Sequence, residues 1–413
     1  MTHTKTQPLS LRQNTLWNAL GCMFYLGCQW LTTILVVTLS DDFDNSGALA
    51  FAMATGIVFA SIALYKVRTF QVSDVGGEFS GQNYVAFRFV TILAAFIVCV
   101  IYLSCIADAR SYLALSLLYL IFKADESFAD VLYGIEQCHE RMDYIGKSQF
   151  IRGIVSLAGF AIPLMLTDNL AIAIICMALS CMMVTLFYDI PHARLFEVIR
   201  PRISKAQIVH LGGACFLAML ASLCANAIVS LVRQYFGIVD GQELLGIYAS
   251  VATPAVLVQV AATYLYSPMI GSLAKTRCEL GRSAFLRSFF KILGLLAVVI
   301  TVVVAALSII GDPLLNFVFG TRIAPYTYLF PYVLASTGVI GLLFYVNDVL
   351  IIVRRMRVLL VCDLISLGIA LGSAVVLIPM YEMNGINIAI IVGAGFGVIA
   401  SIAGVLFKGR SSK

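Results

Sequence analysis

The sequence predicts an all-α, polytopic membrane protein with twelve transmembrane helices in two six-helix bundles. Three observations carry this expectation. Of the 413 residues, 61% are hydrophobic and only 12% charged, against about 25% charged in soluble domains. Twelve apolar stretches reach roughly 20 residues, the length that crosses ~30 Å of hydrocarbon. Lys and Arg gather on one side of those stretches, as the positive-inside rule requires. The mean hydropathy of +0.97 agrees.

The first span, 14–39, follows a polar N-terminal stretch. It is too long, and lacks the small-residue cleavage site, for a removed signal peptide. It is therefore read as a retained helix. Spans two and three cover 48–67 and 85–106, joined by the link Lys66 to Asn83. Span four, 111–137, is the one with charges at mid-depth. Span five, 145–166, carries Pro163, and span six covers 170–188. The link after it runs from Ile190 to Lys205 and holds Pro191, Pro201 and four basic residues. It divides the chain into an N-terminal bundle 1–190, a linker 191–205 and a C-terminal bundle 206–413.

Span seven is 207–236. Span eight, 243–272, carries Pro254 and Pro268, each expected to kink a helix by removing a hydrogen bond. Spans nine to twelve cover 286–310, 327–353, 358–380 and 385–407. Span twelve places Gly393, Gly397 and Ser401 at spacing four, a small-residue packing face. The longest segment on the outer side is Gly311 to Tyr326. A short internal echo accompanies the two halves. Asp130-Val-Leu in span four recurs as Asp348-Val-Leu in span ten, and Arg141-Met142 recurs as Arg355-Met356.

With the N-terminus inside, only Arg110, Arg233 and Arg322 fall on the outer side, and Arg88 and Lys123 lie within spans. The remaining 22 of the 27 Lys and Arg fall inside. Both termini are thus expected in the cytoplasm. The net charge of +5 reflects topology rather than nucleic-acid binding. The basic inner face suits the anionic headgroups of the lipid bilayer. The 11 cysteines form no C-x-x-C pair and serve as small apolar residues. The four histidines form no ligand pattern, so no metal is expected.

The segment Lys123-Ala-Asp-Glu126-Ser-Phe-Ala-Asp130 places four charges inside an apolar span. Each costs about 2.5–3.5 kcal/mol at the centre of a membrane helix. They should therefore face protein or a water-filled cavity. Lys123, Glu126, Asp130, Gly134 and Gln137 recur at spacing three or four and share one face. Asp125 is rotated about 100° from Glu126 and can face another helix. Two readings stand: a polar stripe along a cavity, or a Lys123–Glu126 pair that locks packing. Asp348 and Asp363 lie near the Arg354–Arg357 cluster, as cavity groups or as interfacial ion pairs. Arg88, one turn into span three, can snorkel inward, and Arg233 outward. Asn18 and Asn226 fit interhelical hydrogen bonds.

Enzymatic signatures are missing. Gly146-Lys147-Ser148 ends like a Walker A loop, but Arg141 stands where its first glycine is required. There is no H-E-x-x-H or G-x-S-x-G. The outer loops are too short for a glycosyltransferase or polymerase site, so the chain is expected not to be an enzyme.

Several motifs carry a family resemblance. They are Arg68-Thr-Phe-Gln71-Val-Ser73-Asp74 with Tyr84 and Arg88, and Glu126-x3-Asp130-x3-Gly134-x2-Gln137. With them go Arg141-Met-Asp143, Ser148, Arg152-Gly153, Ser156, Asn14 and Asn18. Together they resemble the Wzx-type flippases of O-antigen and capsule repeat units. Those flippases belong to the multidrug/oligosaccharidyl-lipid/polysaccharide (MOP) exporter superfamily. The resemblance is distinctive over residues 12–160 and thins to topology beyond.

It implies a bacterial inner-membrane transporter with a polar central cavity, working by alternating access. Its substrate would be an undecaprenyl-pyrophosphate-linked glycan. A polysaccharide polymerase and a chain-length regulator would be its partners, with no cofactor and no nucleic acid. Arg88 and Lys123 would hold phosphate or acidic sugar. Glu126, Asp130, Gln137 and Asp348 would line the cavity. Glu126, Asp130 and Asp363 are the candidates for coupling to H⁺ or Na⁺. A drug/cation antiporter of the same superfamily is the alternative, and a membrane enzyme of polysaccharide synthesis a further one.

Overall fold

The computed structural model describes residues 8–39, 44–105, 113–240, 242–319 and 321–407. Lys5, the start of the turn at Ser40, Arg110, Lys408, Arg410 and Lys413 lie outside them, as does the side chain of Arg322. The described residues are mostly helical and form no strand. They divide into two compact units, Met1–Cys215 and Phe216–Lys413.

The first unit holds α1 (Leu11–Leu39), α2 (Asp44–Leu64), the short α3 (Val67–Val72), α4 (Gly81–Cys105) and α5 (Leu113–Cys138). It continues with α6 (Met142–Thr167), α7 (Leu170–Val184), a π-helical turn Thr185–Asp189 and α8 (Ile190–Ala193). The unit boundary lies within α9 (Lys205–Val239). Two bonds tie the region before it to the first unit. The Tyr65 hydroxyl donates to the Gly212 carbonyl at 3.4 Å, and Asn83 Nδ2 to that of Arg202 at 2.8 Å.

Among the described residues, eleven helices are long and apolar enough to cross a membrane. The twelfth expected span is α5. Its 26 residues suffice in length, about 39 Å at 1.5 Å per residue, but Lys123, Asp125, Glu126, Asp130 and Glu136 set its composition apart. The structure resolves that conflict by location. α5 touches α2, α3, α4, α6, α7 and the π turn, so its charges meet protein on most sides. Close approach of α1 and α6 depends on Gly21 and Gly146. A Cβ on either would collide with backbone of the opposite helix.

The second unit contains most of α9, then α10 (Gln242–Glu279), α11 (Gly281–Phe319), a 3₁₀ segment Thr321–Leu329, α12 (Phe330–Ile352), α13 (Met356–Tyr381) and α14 (Met383–Leu406). α10 runs unbroken through Pro254 and Pro268. The segment Gly311 to Tyr326, expected as a loop, is largely helical: α11 continues to Phe319, and the 3₁₀ turns begin at Thr321. α12 packs on α10, α11 and α14. The small face of α14 meets α13: a Cβ on Gly393 would strike Ala370, and one on Gly397 would strike Ser366.

The echo in the sequence has a backbone counterpart. Glu140 and Arg354 both adopt φ 58°, the left-handed region. The next residue's N–H then reaches back five positions, Arg141 to the Glu136 carbonyl at 3.0 Å and Arg355 to that of Leu350 at 2.9 Å. This is the Schellman closure of a helix C-terminus, and α6 and α13 start directly after it. The corner follows Asp130 by eleven residues but Asp348 by seven. The two aspartates therefore sit one helical turn apart in depth relative to their corners.

Candidate functional site

α5 carries a charged stripe whose members are mostly paired. Lys123 Nζ donates to Glu126 Oε2 at 2.6 Å. It also lies 5.1 Å from the centre of the Phe122 ring and 5.6 Å from that of Tyr119, within cation–π range. The other Glu126 oxygen accepts a bond from the Tyr25 hydroxyl of α1. The packing-lock reading of Lys123 and Glu126 thus has its ion pair. Both side chains nevertheless keep 22% of their surface uncovered by protein.

One to three turns along α5, three expected residues converge. Asp130 accepts from Arg88 Nη2 at 2.8 Å and from Arg68 Nη1 at 3.3 Å. Arg68 Nε donates to Gln137 Oε1 at 3.0 Å. Arg88 does not snorkel. It is 0% exposed and its second guanidinium nitrogen bonds the Ala63 carbonyl of α2. Arg68, expected in an inner link, belongs to α3, which folds back onto α5. Tyr65 and Lys66, at φ 49° and 54°, make the corner that turns it there. Gly134 allows the approach, since a Cβ would collide with the Gln71 side chain.

Asp125 does face another helix. Arg152 of α6 donates from Nη1 to Asp125 Oδ2 at 2.8 Å, and from Nη2 to Asp189 Oδ2 at 2.9 Å. Arg152 Nη2 also bonds Thr185 Oγ1, which donates in turn to Asp125 Oδ1 at 2.5 Å. The π turn contains both Thr185 and Asp189. Such turns are rare and frequently mark functional positions. Sequence reasoning counted Arg152 among the inner-surface cations, yet it is 1% exposed and central to this cluster. Its position seven residues into span five was the available signal. Asn14 clamps the nearby corner: Nδ2 donates to the Glu140 carbonyl at 2.9 Å, and Oδ1 accepts from Met142 N at 2.8 Å.

In the second unit, Asp348 accepts from the Tyr266 hydroxyl at 2.9 Å. Asp363 is fully buried and accepts twice from Asn347 Nδ2, at 3.0 and 2.9 Å. Ser401 of the small-residue face donates to Asn347 Oδ1 at 3.3 Å. Arg355 gives one bond to the Gly404 carbonyl at 2.6 Å. Arg233 lies over the Tyr248 ring at 5.4 Å. Asn226 bonds the Ser222 carbonyl of its own helix, at 2.7 Å, rather than a neighbouring one.

No family model matches the chain. A curated relative, the capsular polysaccharide biosynthesis protein CapF of Staphylococcus aureus, is 23% identical over 401 residues, covering 90% of this chain and 93% of its own. The MATE transporter VcmN of Vibrio cholerae, solved as a mutant, matches with a TM-score of 0.76 at 15% identity, over 95% of this chain and 94% of that one. The eukaryotic MATE transporter AtDTX14 matches at 0.79 with 12% identity, over 97% and 96%. An outward-facing multidrug resistance MATE family transporter of the MOP superfamily matches at 0.68 with 13% identity, over 96% and 95%. The chain has the fold of these two-bundle transporters. Fold alone does not fix function.

Proposed function

We propose that the chain flips undecaprenyl-pyrophosphate-linked oligosaccharide repeat units across the bacterial inner membrane for surface polysaccharide assembly. One observation carries the reading: a transporter fold coincides with a relative named for capsular polysaccharide biosynthesis, matched along nearly its whole length. The motifs of α3, α5 and α6 that resemble repeat-unit flippases support it from the sequence side.

In this reading the Lys123–Glu126 pair is the accessible element of unit one. An anionic phosphate or acidic sugar replaces Glu126 beside Lys123, so the cation exchanges one oxygen acceptor for another. Asp130 holds Arg88 and Arg68 in place and shapes the stripe. The Lys and Arg distribution supports an orientation with both termini in the cytoplasm. Alternating access exposes the stripe to each side in turn.

Deletion of the gene tests the reading. Surface polysaccharide should be lost, with lipid-linked repeat units accumulating in the cytoplasmic leaflet. Normal surface glycan in a strain without a redundant flippase would sink it. A drug/cation antiporter is the second reading, favoured by the likeness to multidrug MATE structures. Drug hypersensitivity on deletion, with intact surface glycan, would select it.

A further inference from the structure

We propose that Glu136 is a proton-binding site, occupied in the conformation seen here. Glu136 lies two residues before the end of α5 and is 1% exposed. Both of its carboxyl oxygens are covered, and neither has a hydrogen-bond partner. An ionised carboxylate deprived of both water and donors is far costlier than a neutral carboxyl, so such a group takes up a proton.

The cations around it reach it only at a distance in this conformation, with no hydrogen bond to either oxygen. Asp189 of the π turn and Asp143 of α6 bring negative charge toward it, and Arg68 and Arg141 bring positive charge. Arg141 is engaged by Asp143, with bonds of 2.8 and 3.1 Å. Arg68 is engaged by Asp130 and Gln137. Arg88 of α4 is held by Asp130. Tyr133 of α5 and Tyr188 of the π turn are further ionisable neighbours, and His192 of α8 bonds the Tyr188 carbonyl at 2.7 Å.

One donor nonetheless stands ready. Arg68 Nη2 is buried and has no acceptor. When the elements about Glu136 separate and water enters, the carboxyl gives its proton to that water. The resulting carboxylate then offers Arg68 Nη2 the acceptor it lacks. The π turn against α5 and α6 is the element whose rearrangement would open the site. The site suits a proton rather than a metal ion. Hard cations need several oxygen ligands, and no cluster of three acidic, His or Cys residues occurs among the described residues.

The consequence for coupling rests on the transport reading above: the coupling proton would ride on Glu136 rather than on Glu126, Asp130 or Asp363. The site itself can be tested without transport. Full-length protein in lipid nanodiscs is titrated from acid to alkaline pH while infrared difference spectra are recorded. At neutral pH, where exposed carboxylates are ionised, wild type should keep a protonated-carboxyl band that Glu136→Gln removes and Glu136→Asp shifts. Glu136→Gln preserves the neutral shape and should fold with an unchanged melting midpoint.

Identical spectra for wild type and Glu136→Gln would overturn the proposal. So would a Glu136→Gln variant that fails to fold while Glu136→Asp folds, because the site would then require the charge. Loss of the band on adding Na⁺ at constant pH would overturn it in favour of a metal cation. A band that Glu136→Gln removes upholds the site even where gene deletion leaves surface glycan normal, which would overturn only the transport reading.

Discussion

Arg152→Ala should be among the most damaging single substitutions in the first unit. The Arg152 side chain is 1% exposed, and its two acidic partners, Asp125 and Asp189, are 7% and 1% exposed. Truncation leaves both carboxylates buried without a cation. Removing one partner of a buried pair costs about 3–5 kcal/mol. Thr185 still donates to Asp125, and losses within one network do not add, so the upper figure should not double. Arg152→Lys keeps the charge but cannot span Asp125, Asp189 and Thr185 with one rigid fork. It should lose about 1–3 kcal/mol, the range for one unmade buried hydrogen bond. The triple variant Arg152→Gln/Asp125→Asn/Asp189→Asn removes every charge and should recover most of the loss, since neutral replacement of a buried ionic cluster is often harmless. The assay is the midpoint of heat-induced loss of monodisperse protein in mild detergent. Arg152→Ala melting with wild type, or the triple variant melting no higher than Arg152→Ala, would refute the electrostatic account of this cluster.

Lys123→Ala should abolish export while the protein still inserts and melts near wild type, and Lys123→Ala/Glu126→Gln should stay inactive. Export restored in the double variant would make the pair a packing lock. Asp130→Asn strips the buried Arg88 of its counter-charge and should lower both the melting midpoint and export; adding Arg88→Met should recover the midpoint alone. Gly146→Val should cost about 1–3 kcal/mol or more by overpacking, because its Cβ lands on Trp17 backbone. Gly27→Ala, whose Cβ meets nothing within 4 Å, should instead raise the midpoint, by up to about 1 kcal/mol of helix propensity.

Hydropathy placed the helices because a bilayer demands long apolar runs, a demand that does not depend on tertiary detail. The charged stripe of α5 was legible for the same reason, as a violation of that demand. What the stripe touches was not. Arg68 reaches Asp130 only because a six-residue helix turns back after two left-handed residues, Tyr65 and Lys66. Neither is glycine, so no local signal announces the corner. Glu136 escaped notice beside Gln137 because spacing placed it off the stripe, and its lack of donors is a property of packing. In the second unit the motif echo located the corner at Arg355, while Asn347, the partner of Asp363, lies one position before the echoed Asp348 and carried no charge to mark it.

The stripe that periodicity implied is narrower in the folded chain than on a helical wheel. Of its charged members, Asp130 already neutralises Arg88 and accepts from Arg68, and Arg88 has no exposed surface. A ligand anion directed at Arg88 would have to displace a short charge-assisted bond inside protein. At Lys123 it meets a cation that is already partly desolvated, flanked by two aromatic faces and paired with one carboxylate. Exchange of that carboxylate for a phosphate oxygen conserves charge pairing, so its free-energy cost falls mainly on Glu126. Tyr25 is bonded to the other oxygen of Glu126 and can retain it as it leaves Lys123. Binding at Lys123 would thereby pull on α1 through Tyr25, and α1 is packed along α6, the helix that carries Arg152. The accessible pair and the buried cluster thus both bear on the packed pair of helices α1 and α6.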